Sequence, residues 1–113
     1  MKYALLIYPP STIEYERLSE EERGAMEAEY LALAQEPGVL TGARLELPDA
    51  TTTVRVEDGK TLATDGPFAD TKEVLGGLYL IEVDNLDVAL DRAARIPAAR
   101  MGGAVEVRPI VEQ

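Results

Sequence analysis

The order of periodic segments in this sequence predicts an α+β fold, with two helices covering one face of an antiparallel sheet. Three observations carry that expectation. Tyr3-Ala4-Leu5-Leu6-Ile7-Tyr8 and Leu78 to Val83 are almost continuously apolar runs of strand length, the pattern of strands kept from water on both faces. Two segments with helical periodicity, opening near Ser19 and Asn85, each stand between strand-like runs. Asp58-Gly59 joins two short alternating runs, a strong signal for a two-residue hairpin. The predicted order is strand, helix, strand, hairpin, strand, helix, strand: a ferredoxin-like βαββαβ subunit with a hairpin extension. At 113 residues the chain is a single domain, 1–113, large enough for its own core.

Each element has a local cause. Pro9-Pro10 ends the first strand, since neither residue carries an N–H for a ladder. Ser19 with Glu22 forms a capping box, and Glu20 and Glu21 add negative charge where the helix dipole favours it. Met26, Tyr30 and Leu33, flanked by Leu31 and Ala34, recur as a core-facing stripe until Pro37-Gly38 stops the helix. Val39 to Leu47 alternates Ala43, Leu45 and Leu47 with Arg44 and Glu46 as a half-exposed strand. After the Pro48-Asp49-Ala50 turn, Thr51 to Glu57 and Lys60 to Thr64 form the hairpin. Asp84-Asn85 caps a second helix, whose predicted buried stripe is Leu86, Leu90 and Ala93, with Arg92 and Arg95 complementing its dipole at the C-terminal end. Ala98 to Gly103 reads as a small-residue loop, and Val105 and Val107 belong to a closing strand.

Two helices cover only one face of such a sheet, yet its two most apolar strands show greasy residues on both. An open apolar face of several hundred Å2 is rare on a monomer. A second copy packed face to face with two-fold symmetry supplies the missing cover, so a homodimer is expected.

Composition excludes whole classes of function. There is no His and no Cys, which removes Ser-His-Asp and Cys-His nucleophilic mechanisms, thiol redox chemistry and zinc sites built on imidazole or thiolate. No cofactor is expected, and no acidic spacing matches a Mg2+ or Ca2+ loop. Acid–base work falls to Asp, Glu, Tyr, Lys or water. With 21 acidic against 11 basic residues, net −10, the chain repels phosphate backbones, so nucleic-acid binding is not expected. The six-residue apolar run at the N-terminus is too short for a signal-peptide core, and no stretch approaches membrane-spanning length. A cytoplasmic protein without a membrane partner is the expectation.

The stretch between hairpin and last central strand, Thr64-Asp65-Gly66-Pro67-Phe68-Ala69-Asp70-Thr71-Lys72-Glu73, is the candidate site. Pro67 fixes its own φ and pushes Gly66 out of the α region, predicting a rigid elbow with a carboxylate at one end and an aromatic anchor at the other. Asp65 has two readings. It is either an acid–base or anchoring group in a cleft, or a turn residue whose carboxylate accepts from nearby amides. Phe68 is a packing anchor or a ligand contact; Lys72 and Glu73 are loop charges or ligand contacts. Tyr3, Tyr8 and Tyr79 can present phenols to a cavity or to a subunit contact. Arg44, Arg55 or Arg108 can hold a carboxylate bidentately or pair across strands with Glu46, Glu57 or Glu106.

Asp65-Gly66-Pro67-Phe68, the following Ala69 to Glu73 and Gly76-Gly77-Leu78-Tyr79-Leu80-Ile81 resemble the DGPF motif region of the YCII-related domain proteins. Ala94-Arg95-Ile96-Pro97-Ala98-Ala99 and Gly103 to Pro109 are similar to that family's C-terminal signature. The resemblance covers nearly the whole chain and implies the dimeric α+β barrel, a ferredoxin-like subunit paired through its sheet. It implies a function that is largely unassigned, with members encoded beside sigma factors of the extracytoplasmic-function class. Some members of the wider family place a His–Asp pair in a cleft; of that pair only Asp65 has a counterpart here. Three functional expectations follow: a small-molecule enzyme or binding protein with its cleft near Asp65, lined by Tyr8, Arg44, Phe68, Lys72 and Tyr79; a non-catalytic regulatory module acting with a sigma factor or another protein; or a stable dimer whose chemistry has been lost.

Overall fold

Strand pairing at the centre of the molecule is set by the two apolar runs. The computed structural model describes residues 1–10, 15–68 and 73–112. Its elements are β1 (Lys2–Tyr8), α1 (Glu20–Ala34), β2 (Val39–Arg44), a 3-10 turn (Pro48–Ala50), β3 (Thr52–Glu57), β4 (Lys60–Asp65), β5 (Gly77–Glu82), α2 (Leu86–Ala94), α3 (Pro97–Arg100) and β6 (Ala104–Pro109). Four strands form one sheet in the order β2-β5-β1-β6, and each neighbouring pair is antiparallel. This is the ferredoxin-like α+β arrangement. β3 and β4 form a separate two-stranded sheet.

The faces of the sheet differ in cover. Tyr3, Leu5 and Ile7 of β1 and Tyr79 and Ile81 of β5 are buried together with Ala89, Ala93, Ile96 and Ala98 from the helical side. Ala4, Leu6, Tyr8, Leu78 and Leu80 point the other way and are only half-buried. The helices therefore seal one face, and within a single chain the second stays partly open.

α1 opens as its sequence requires: Glu22 N donates to Ser19 Oγ at 3.1 Å and Ser19 N donates back to Glu22 Oε1 at 3.1 Å. Its inward stripe is narrow. Met26, Tyr30 and Leu33 are half-buried, while Leu31 and Ala34 face solvent. Three ion pairs hold the helical layer together. Glu36, just after α1, pairs with Arg95 and with Arg92, and Arg100 of α3 holds Glu29 of α1.

Three expectations are corrected. α2 does not bury Leu86 and Leu90; it buries Ala89 and Ala93, whose small side chains let the helix backbone approach the sheet closely. Residues 97–100 form the short helix α3 and not a loop, because Pro97 sits at the first helical turn, where a missing N–H costs nothing. β2 ends at Arg44 rather than Leu47. Leu45 N still donates to Gly76 O at 2.9 Å, but Pro48 then starts the 3-10 turn.

Candidate functional site

Hairpin chemistry positions the site. Asp58 and Gly59 both take positive φ, 50° and 75°, as a two-residue turn of the mirror-image kind requires. The register then runs from Glu57 opposite Lys60 to Thr52 opposite Asp65, so the hairpin's end fixes where Asp65 stands. Asp65 closes β4, is exposed, and among the described residues accepts no hydrogen bond. The elbow is instead clamped through its neighbour. Gly66 N donates to Thr51 O at 2.7 Å, and Thr53 Oγ1 donates to Gly66 O at 2.6 Å. Gly66 has φ +100°, the left-handed side anticipated from the Gly-Pro pair. The turn-capping role belongs to Thr51 and Thr53, and among the described residues no donor reaches the Asp65 carboxylate.

The other aromatic end of the elbow also departs from expectation. Phe68 is 74% exposed and lies beside Arg55, whose guanidinium carbon is 5.0 Å from the ring centroid. It is a surface stack and not a core anchor.

A groove of about 220 Å3 opens next to the clamp, lined by Leu45, Glu46, Leu47, Pro48, Ala50, Thr51, Val74 and Leu75. Its walls are the exit from β2 and the return of the chain towards β5, joined where Gly76 accepts from Leu45 N and donates to Ile7 O at 2.8 Å. Thr51, one wall of the groove, is the residue that holds Gly66. Asp65 is thus one peptide away from a group bonded to the groove lining.

The remaining candidates divide between the two faces. Tyr8, at the same end of the sheet, lies on the open face, where Glu106 beside it raises its phenol above the ordinary value. Arg44 also stands at this end but turns to the helical side, 3.8 Å from Glu27. Tyr79 is in the core: its hydroxyl donates to Tyr30 O at 2.8 Å, and burial pushes its pKa up to about 12. Lys72 lies outside the described residues. Tyr8, Arg44 and the groove stand at one end of the four-stranded sheet, Tyr8 and Arg44 on opposite faces, with Tyr79 apart from them in the core, while Asp65 ends the hairpin of the other sheet. Reasoning from the sequence missed the Thr51–Thr53 clamp; the run Thr51-Thr52-Thr53 facing a Gly-Pro elbow was the available signal. Among the described residues no three carboxylates converge as a metal site would need, and no helix is long and apolar enough to cross a membrane.

A four-stranded antiparallel sheet, one helical layer and a hairpin feeding an acidic elbow define a ferredoxin-like α+β domain with an inserted arm. The chain belongs to the YCII-related domain family, whose sequence model matches residues 1–113. It is also 39% identical over 116 residues to an uncharacterised protein of Rhizobium meliloti (strain 1021), covering 97% of this chain and 92% of that one.

Proposed function

We propose that this is a homodimeric small-molecule-binding or catalytic protein whose site is the groove beside Asp65. Asp65 serves as the acid–base or anchoring group and Tyr8 orients the ligand from the open face of the sheet, whereas Arg44, turned to the helical side, pairs with Glu27. The observation that carries this reading is an exposed carboxylate that accepts no hydrogen bond among the described residues, next to Gly66, which is clamped by Thr51 of the groove lining and by Thr53. A turn carboxylate kept only for structure would be bonded to the turn. The open, half-buried apolar face of the sheet supports the homodimer. The Asp65-Gly66-Pro67-Phe68 tetrapeptide supports membership of the DGPF subgroup, and the cysteine-free composition supports a cytoplasmic setting.

Thermal-shift measurements against small carboxylic acids and lactones test the reading. A compound that raises the melting temperature of the native chain is expected to lose that effect in Asp65→Asn. Equal shifts in both proteins, or none across the set, would overturn it. A regulatory module acting with a sigma factor or another protein is the second reading. It is favoured by Phe68, an exposed aromatic of the kind that protein contacts use, and it gains if no small molecule binds.

A further inference from the structure

We propose that the β3–β4 hairpin is a docking arm for a second copy of this chain, and that the Asp65 site is completed only when the partner lies on it. The inference rests on the homodimer reading and goes beyond the sheet contact. It starts from the arm's isolation. Among the described residues β3 and β4 pair only with each other, and neither packs extensively on another strand or helix. A lone two-stranded hairpin is marginally stable in water. This one nevertheless carries Val54 at 61% and Val56 at 67% exposure on one side, and Leu62 at 43% on the other. The projecting arm leaves the chain with a radius of gyration of 16.0 Å, against about 13 Å for a compact domain of this length.

Charge selects the occupant. The molecule carries a net −10, so most of its surface repels a second copy. The open face of the sheet carries Lys2, Glu82, Glu106 and Arg108, two cations and two anions. The arm face formed by Thr52, Val54, Val56, Thr61, Ala63 and Asp65 has Asp65 as its sole charge. These are surfaces on which two copies meet without like-charge repulsion. Area points the same way. Four strands of about six residues give the open face a planar footprint of roughly 400 Å2, and a stable pairing gains from any apolar area added to it. Burying one side of the arm adds roughly 200 Å2 more.

The site gains from the same contact. Register places Asp65 on the Val54–Val56–Ala63 face, so a partner seated there reaches the carboxylate. The groove, about 220 Å3 in one chain, falls below the roughly 300–1,000 Å3 of ligand pockets; a partner wall closes and enlarges it.

Sedimentation equilibrium of the native chain, of Val54→Lys/Val56→Lys and of Leu80→Arg separates the two contacts. The arm variant is expected to fold with an unchanged circular-dichroism spectrum, its replaced residues being exposed, and to raise the dimer dissociation constant by roughly a hundredfold. Carbodiimide labelling of Asp65, read by mass spectrometry, is expected to be slow in the native dimer and fast in that variant. If Leu80→Arg dissociates the dimer while the arm variant keeps the native constant and labelling rate, the arm proposal falls and the sheet-face dimer stands. A monomeric native chain sinks both. Val56→Cys gives a third check, because the chain has no other cysteine. A photo-crosslinker on that thiol is expected to join two copies; crosslinks within one chain only, or only to unrelated proteins, would overturn the proposal.

Discussion

The four-stranded body and the β3–β4 arm are both antiparallel pairings built on alternating sequence, and they end in opposite states. In the body, Tyr3, Leu5, Tyr79 and Ile81 find Ala89, Ala93 and Ile96 above them and leave water almost entirely. In the arm, Val54 and Val56 have the same chemistry and stay mostly exposed, with no layer over them among the described residues. Strand pairing alone therefore does not bury a strand; a second layer does. The body has one layer from its own helices, and among the described residues none packs extensively on the arm.

Breaking the better-covered region should cost most. Ile81 is 1% exposed in the centre of the core, and Ile81→Ala is expected to lose about 4 kcal/mol through lost transfer energy and an unfilled cavity. Thermal unfolding followed by circular dichroism checks this; a loss under about 1 kcal/mol would mean the body is packed no better than the arm.

Tyr79→Phe sharpens the same contrast at smaller scale. Removing the hydroxyl leaves the Tyr30 carbonyl without this donor and is expected to cost about 1 kcal/mol. It also changes the alkaline flank. Burial holds Tyr79 near 12 in the folded chain, against an ordinary 10.0, so between those values the unfolded chain has released a proton that the native chain keeps. Stability from this group is complete below pH 10 and is lost as pH rises towards 12. Burial raises Tyr30 as well, so the variant should show a shallower alkaline decline, not a flat one. Identical alkaline slopes in the two proteins would contradict this assignment.

In the arm the effect is local. Gly59 takes φ +75° at the hairpin turn with open space around it, and Gly59→Ala is expected to cost about 1 kcal/mol of backbone strain. Because among the described residues the arm packs extensively on no other element, that cost should appear as faster amide exchange at Val54, Val56 and Leu62. The melting transition of the dissociated body should stay in place. A body transition that falls in step with the arm would show the two regions to be one cooperative unit.

Much of this architecture was legible in the residues, for identifiable reasons. The Ser19–Glu22 capping box, the Asn85 cap and the Asp58-Gly59 turn are local signals, and each forms where its side chains dictate. The buried side of α2 was not legible. Leu86 and Leu90 repeat with the same spacing as Ala89 and Ala93, and only the closeness of the sheet selects the small pair. The site was half legible. Asp65 could be placed at the end of a strand before a Gly-Pro elbow, but its free carboxylate depends on Thr51 and Thr53 taking over the clamp. The groove joins residues 45–51 to residues 74–75, a contact across a hairpin that no periodicity records.

The central claim is that the half-open side of the sheet is covered by a twin molecule. Light scattering on the native chain as it leaves a size-exclusion column tests it most directly. A particle of twice the 12.3 kDa of one chain is expected; one of a single chain's mass, with Leu6, Leu78 and Leu80 left to water, would rule the twin out.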